Sequence, residues 1–203
     1  MEHSAWILYG GPGYGKGKLS KILESQGHHL VCMGDILSEY KENNAQVAAT
    51  IASGKLVSSE LIHDLLLEHT PEPHPELKLV FDGATRRLDQ AKRLVDMLHH
   101  QYGCPVAVIN IEVDPEVATI RLLKRGREDD IPQSIKKRLM EYQENAPAVI
   151  AYLNRRCPYS FYEINNNGTE NALLTAFIDV IKREKKRTSP VRQPFSSLSI
   201  SSP

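Results

Sequence analysis

Gly10-Gly11-Pro12-Gly13-Tyr14-Gly15-Lys16-Gly17-Lys18 is the stretch on which the reading of this chain turns. It follows the apolar run Ala5-Trp6-Ile7-Leu8-Tyr9, which reads as a buried strand, and precedes Leu19, Ile22 and Leu23, spaced as the inner face of a helix. A glycine-rich turn between strand and helix can adopt backbone angles closed to other residues and can aim several N–H groups at an anion near the positive end of the helix. Lys16, in register with G-x-x-x-x-G-K, supplies a point charge for the β- and γ-phosphates of a nucleotide. The next residue is Gly17, where the general pattern has Ser or Thr. A glycine-rich turn without a ligand is the competing account; the strand, the helix and the lysine in register weigh against it.

The rest of the composition is consistent with a local anion site in a globular protein. A chain of 203 residues, 41% of them hydrophobic, can bury a substantial core and suits one domain with small insertions. Lys and Arg total 25 and Asp and Glu total 25, so no global field draws the chain to nucleic acid or to a membrane surface, and cationic side chains are expected to gather in one cleft. Cys32, Cys104 and Cys157 lie far apart, which suits neither a disulfide framework nor a zinc site, and the cytoplasm is the expected compartment. The histidines are not spaced as a metal cluster, and Cys32 is expected to pack in the core.

Outward from the loop, strands are predicted at His28–Met33, Leu77–Phe81, Val106–Val113 and Phe161–Ile164. Between them, Gly34-Asp35 reads as a turn before a helix Ile36–Asn43, with further helices at Asn44–Ala52, Glu60–Glu68 and Leu88–Gln101. Asp114-Pro115 opens a helix to about Lys124, and Gln133–Asn154 and Glu170–Lys186 complete the set. Strand and helix alternate throughout, which implies a parallel sheet with both faces covered and a ligand site beyond the strand carboxyl ends. Thr188 to Pro203, rich in Ser and Pro, is expected to form a disordered tail.

With this order in place the motifs resemble the adenylate kinase family of nucleoside monophosphate kinases, over nearly all of Trp6 to Ile181. Gly-x-Pro-Gly-x-Gly-Lys-Gly is similar to that family's phosphate loop, with Lys18 where a Thr usually stands. Met33-Gly34-Asp35-Ile36-Leu37-Ser38 resembles Thr-Gly-Asp-hydrophobic-Leu-Arg, and Gly54-Lys55-Leu56-Val57 resembles Gly-x-Leu-Val. Asp82-Gly83-Ala84-Thr85-Arg86 with Gln90 resembles Asp-Gly-Phe-Pro-Arg with its following Gln. Arg121 to Gly126, Arg127-Glu128-Asp129-Asp130 and Lys136 to Leu139 resemble the arginine-bearing segments of short-lid members, and Asn165 to Thr169 resembles the loop beside the ATP adenine.

The resemblance implies a P-loop NTPase-type α/β fold with a five-stranded parallel sheet, an acceptor-binding insertion at 34–64 and a very short lid at 126–134. It implies reversible transfer of the ATP γ-phosphoryl to a monophosphate, a reaction governed by positioning and charge neutralisation. On that basis Gly11, Pro12, Gly13, Tyr14, Gly15, Lys16, Gly17, Lys18, Arg121 and Gly168 bind the donor. Met33, Gly34, Ser38, Val57, Gly83, Arg86, Gln90, Arg127 and Arg138 bind the acceptor, and Asp35 and Asp82 hold a hydrated Mg²⁺ through water. Lys16, Arg86, Arg121, Arg125, Arg127 and Arg138 stabilise the transferring phosphoryl. As local alternatives, Asp35 serves only as a helix cap and Asp82 only stabilises its turn.

Ser38 replaces an arginine that grips the acceptor phosphate, and Lys41, one turn on, is the candidate substitute. Gln90 matches the adenine-reading glutamine and tilts the expected acceptor to AMP. The other readings are the same chemistry on UMP, CMP or a deoxynucleoside monophosphate, and a nucleotide-binding protein without turnover that acts as sensor or scaffold. A monomer with small-molecule partners is expected.

Overall fold

A computed structural model describes residues 4–188. Five strands form one sheet: β1 (Ser4–Tyr9), β2 (His29–Cys32), β3 (Lys78–Asp82), β4 (Val106–Glu112) and β5 (Phe161–Asn165). All pairings are parallel and the order is β2-β3-β1-β4-β5. Among the described residues eight α-helices accompany them: α1 (Lys16–Ser25), α2 (Met33–Tyr40), α3 (Ala45–Ala52), α4 (Ser59–His69), α5 (Leu88–His100), α6 (Pro115–Arg125), α7 (Pro132–Arg156) and α8 (Glu170–Thr188).

The near-continuous apolar strands follow from burial on both faces. Ala5, Ile7 and Tyr9 point into one core with Leu79, Phe81 and the inner residues of α4, α5 and the later turns of α7. Trp6 and Leu8 point into the other, with Ile109, Ile111 and the inner residues of α1, α6 and α8. Helix α7 serves both: Ile135 and Leu139 pack in the second core, Val149 and Leu153 in the first, and Tyr142 touches each.

Several boundaries differ from the expectations. Gly34 and Asp35 are not a turn after β2 but lie inside α2, which begins at Met33 directly after an extended Cys32; an acidic residue in the first turn suits the positive helix end. A 3-10 turn, Lys41–Asn43, follows α2, and Asn44 caps α3 by accepting from the Val47 amide at 3.1 Å. Asp114 gives α6 no side-chain cap; instead its own amide donates to Asn167 Oδ1 at 2.7 Å, tying the start of α6 to the loop after β5. Thr188, expected in the tail, closes α8, and the rest of that expected tail, 189–203, lies outside the described residues.

The strand order positions the site. From β1 the chain steps outward to β2 and back to β3 on one side, then crosses to β4 and β5 on the other. Connections therefore leave in opposite directions on either side of β1, which opens a crevice at the strand carboxyl ends. Leu8, Asp82 and Cys32 stand side by side in register there, with the glycine loop immediately above.

Candidate active site

The glycine loop joins β1 to α1, and Gly15 caps the helix with φ 96°. Gly13 has φ 78°, and a Cβ on it would lie 2.8 Å from the Ala118 carbonyl, so the loop is pressed against α6 where no side chain fits. Half-buried Lys16 donates from Nζ to the carbonyls of Gly10 at 2.8 Å and Gly11 at 2.9 Å, which leaves one of its three protons for a ligand. Burial lowers its pKa, opposed by the nearby Asp82 carboxylate.

Asp82 ends β3 and is buried; Ser20 Oγ donates to its Oδ2 at 3.5 Å. Desolvation raises its pKa, and Lys16 and Arg86 pull the other way. A Cβ on Gly17 would stand 3.9 Å from Asp82 Oδ2, so the carboxylate faces the space that a Ser or Thr would occupy in the general phosphate-loop pattern. Exposed Asp35 is close enough to perturb Asp82. Among the described residues no three His, Cys, Asp or Glu side chains are grouped to hold a metal ion by themselves. Two carboxylates beside a phosphate loop fit a Mg²⁺ that keeps several waters and takes its other oxygens from a nucleotide.

The connection from α6 to α7 brings the arginines together. Gly126 takes φ 69° to end α6, and Pro132 opens α7 a few residues later. Arg125 donates to Asp130 from Nε and Nη2, both at 2.8 Å. Arg138 donates to Asp129 Oδ2 at 2.8 Å and to Asp130 Oδ1 at 2.7 Å. The Arg127 amide donates to Asp130 Oδ2 at 3.2 Å, and its side chain is exposed. Burial alone would raise the Asp130 pKa; the hydrogen bonds from Arg125, Arg138 and the Arg127 amide outweigh it and hold it at about 2.

Arg121, on α6, reaches the Gly168 carbonyl with Nη2 at 3.4 Å, while its buried Nη1 has no partner. Ser38 Oγ donates to Gly34 O of its own helix at 2.8 Å and does not replace a guanidinium. Lys41 instead lines the cleft, 3.9 Å from Glu128. Gln90 Oε1 accepts from the amides of Arg86 at 2.9 Å and Arg87 at 3.1 Å, closing the start of α5 and fixing the orientation of its own amide. Cys32, expected in the core, is half-buried and lines the cleft; burial and the neighbouring Asp82 push its thiol up to about 11.

These side chains line one cleft of about 1170 Å³, larger than the ~300–1,000 Å³ of a typical single-ligand pocket. Every residue expected to bind or catalyse borders it except two. Gly11 borders an adjoining cavity of about 30 Å³ with Arg86 and Arg138, and Gly168 meets Arg121 through its carbonyl.

The sequence model of the adenylate kinase family matches residues 8–157. The chain belongs to the adenylate kinase family. It is 30% identical over 187 residues to an adenylate kinase of Phocaeicola vulgatus, covering 87% of this chain and 97% of that protein. An adenylate kinase of Cyanothece is 32% identical over 192 residues, with coverages of 88% and 97%. One of Parabacteroides distasonis is 34% identical over 158 residues, with coverages of 72% and 83%. As a member of this family the chain is a nucleoside monophosphate kinase, an enzyme that moves a phosphoryl group between nucleotides.

For an adenylate kinase family member, four contacts in the cleft were not singled out from sequence. Asp129 and Asp130 hold the arginines; they were visible within Arg127-Glu128-Asp129-Asp130, but only side-chain geometry shows Arg125 bound to Asp130 and Arg138 to both. Ser20 lies one helical turn beyond Lys16, a spacing that puts both on one face. Asn166 donates to the Tyr14 carbonyl at 2.9 Å, and Tyr142 meets the Tyr14 ring edge-on at 5.1 Å. The last two join segments far apart in the chain; Asn166 lies within the Asn165 to Thr169 loop matched from sequence, but nothing local pairs it with Tyr14 or brings Tyr142 there.

Proposed function

We propose that the protein catalyses reversible transfer of the γ-phosphoryl group of MgATP to AMP. The donor tail lies along Gly11 to Lys18 with Lys16 on its β- and γ-phosphates, and Arg121 and Gly168 flank the donor base. Asp35 and Asp82 would hold a hydrated Mg²⁺, which would supply positive charge to neutralise the phosphates. Arg86 takes the acceptor phosphate with Lys41 in place of the guanidinium missing at Ser38, inside an insertion spanning 34–64. Arg125, Arg127 and Arg138 reach the transferring phosphoryl as the lid at 126–134 closes, Arg125 and Arg138 exchanging carboxylates Asp129 and Asp130 for phosphate oxygens. Met33, Gly34, Val57 and Gly83 line the acceptor pocket.

The observation that carries the choice of AMP is the fixed amide of Gln90. With Oε1 taken up by two backbone N–H groups, Nε2 is the donor it can offer a base. Adenine presents a ring-nitrogen acceptor to such a donor, whereas guanine and uracil present N–H there. Cytosine also presents an acceptor, so CMP is the second reading. The family names of the relatives agree with AMP. The test is diphosphate formation from MgATP with AMP, CMP, UMP, GMP and the deoxy forms. AMP is expected to give the highest kcat/KM, and faster turnover of UMP or GMP would overturn the assignment.

The balanced charge of the chain supports nucleotides, not nucleic acid or a membrane surface, as its partners, and the protein is taken to act as a cytoplasmic monomer. No helix among the described residues is long and apolar enough to cross a membrane.

A further inference from the structure

Lys18, at the position where the family usually has threonine, is salt-bridged to Glu170. Lys18 stands in the first turn of α1 and Glu170 in the first turn of α8, so the pair spans the gap between the phosphate loop and the segment that follows β5. That segment presses on the loop at its capping glycine: a Cβ on Gly15 would lie 2.6 Å from Asn166 Nδ2 and 3.4 Å from Leu173 Cδ2. Lys18, Glu170, Asn166 and Leu173 all border the cleft. In the sheet order this corner lies across β1 from Asp82, which ends β3, and Arg86, which follows it. If the γ-phosphate is at the Arg86 side, the α-phosphate of the same donor is at the Lys18 side.

Two opposite charges therefore meet where a third, the donor's phosphate, has to come. Glu170 repels the phosphate and Lys18 attracts it. Neither is fixed by burial, with side-chain exposures of 53% and 59%, so the ion pair is weakly held and can be exchanged. An ammonium has three donors, and moving it from a carboxylate to a phosphate costs it no hydrogen bond. Threonine at this position would offer a hydroxyl but no charge.

We propose that Lys18 is a ligand for the donor's α-phosphate that Glu170 holds in reserve, so that donor binding exchanges a carboxylate for a phosphate on one ammonium. This rests on the reading that MgATP occupies the loop. Donor affinity is then set by competition: Glu170 lowers it and Lys18 raises it.

The test is calorimetric titration of the full chain with MgATP, for wild type and for Lys16→Ala, Lys18→Thr, Glu170→Gln and the Lys18→Thr/Glu170→Gln double variant. Lys18→Thr is expected to raise Kd about five- to tenfold, in the range of one exposed charge-assisted contact. Glu170→Gln is expected to lower Kd about threefold, a gain that loss of a merely structural ion pair would not produce, and that gain is expected to vanish in the Lys18→Thr background. The acceptor KM stays unchanged in both single variants. Unchanged Kd in Lys18→Thr, weaker binding in Glu170→Gln, or a gain from Glu170→Gln that survives without Lys18 would each overturn the exchange. If wild type fails to bind MgATP, or binds it equally well with Lys16→Ala, the kinase reading itself fails. If Lys16→Ala abolishes binding while the Lys18 and Glu170 variants behave as wild type, only this inference fails.

Discussion

Lys16 uses two of its protons on the carbonyls of its own loop, which leaves one for the proposed donor, so its removal takes away that ligand without exposing a core. Lys16→Ala is expected to leave the thermal midpoint within a few degrees of wild type while lowering kcat/KM by at least about a hundredfold, the scale of a lost contact to transferring charge. A spectrophotometric coupled assay alongside a melting curve checks both halves. Lys41→Ala is expected to raise the acceptor KM several-fold and spare that of the donor, because Lys41 borders the cleft in the turn after α2 and Ser38 is bonded to its own helix. An unchanged acceptor KM would mean that Arg86 suffices. The identity of these residues was readable in the chain, since spacing alone puts a lysine in a glycine turn. Gln90 was readable as a match to an adenine-reading glutamine, but its part in closing the start of α5 was not: that emerges only once its oxygen is seen on the amides of Arg86 and Arg87.

At the scale of elements, the connection from α6 to α7, the proposed lid, is held by one buried carboxylate shared between the ends of the two helices. The Asp130 side chain is fully buried and its pKa falls from 3.8 to about 2, so it contributes about 2 kcal/mol of stability above pH 4. The folded-state value lies below the unfolded one; that contribution is therefore present above pH 4 and lost as pH falls toward 2. Urea unfolding followed between pH 5 and pH 2 is expected to show this loss, and Asp130→Asn to remove most of it while destabilising the protein at pH 7. The phosphate loop is held in a second way, by the Tyr142 ring at 5.1 Å from Tyr14 and 5.8 Å from Tyr9. Tyr142→Ala is expected to cost about 3 kcal/mol and Tyr142→Phe less than about 1 kcal/mol, since the contact is between rings; equal losses in the two, read from denaturant midpoints, would put the contribution in the hydroxyl.

At the scale of the molecule, a ligand that binds only the folded cleft stabilises the whole domain. MgATP at a hundred times its Kd is expected to add about 2.7 kcal/mol, or roughly 5–10 °C in thermal midpoint for a chain of this size, and to add nothing to Lys16→Ala. The alternation of strands and helices was legible because each strand is a short apolar run and each helix carries its own periodic face; local pattern is enough to determine them. Gly34 and Asp35 escaped because a glycine reads as a turn, and nothing local shows that α2 starts directly from β2. The loop, its lysine and the cleft-lining charges were likewise set by the order of residues along the chain. The strand order β2-β3-β1-β4-β5 was decided only by tertiary structure, as were the meeting of Arg125 and Arg138 on Asp130, the edge-on contact of Tyr142 with Tyr14 of the loop and the pairing of Lys18 with Glu170. The reason is physical: local propensity acts within one element, whereas the contacts of Tyr142 with Tyr14 and of Lys18 with Glu170 depend on how whole layers pack around the shared core, and the meeting of Arg125 and Arg138 on Asp130 depends on how the ends of α6 and α7 turn toward each other.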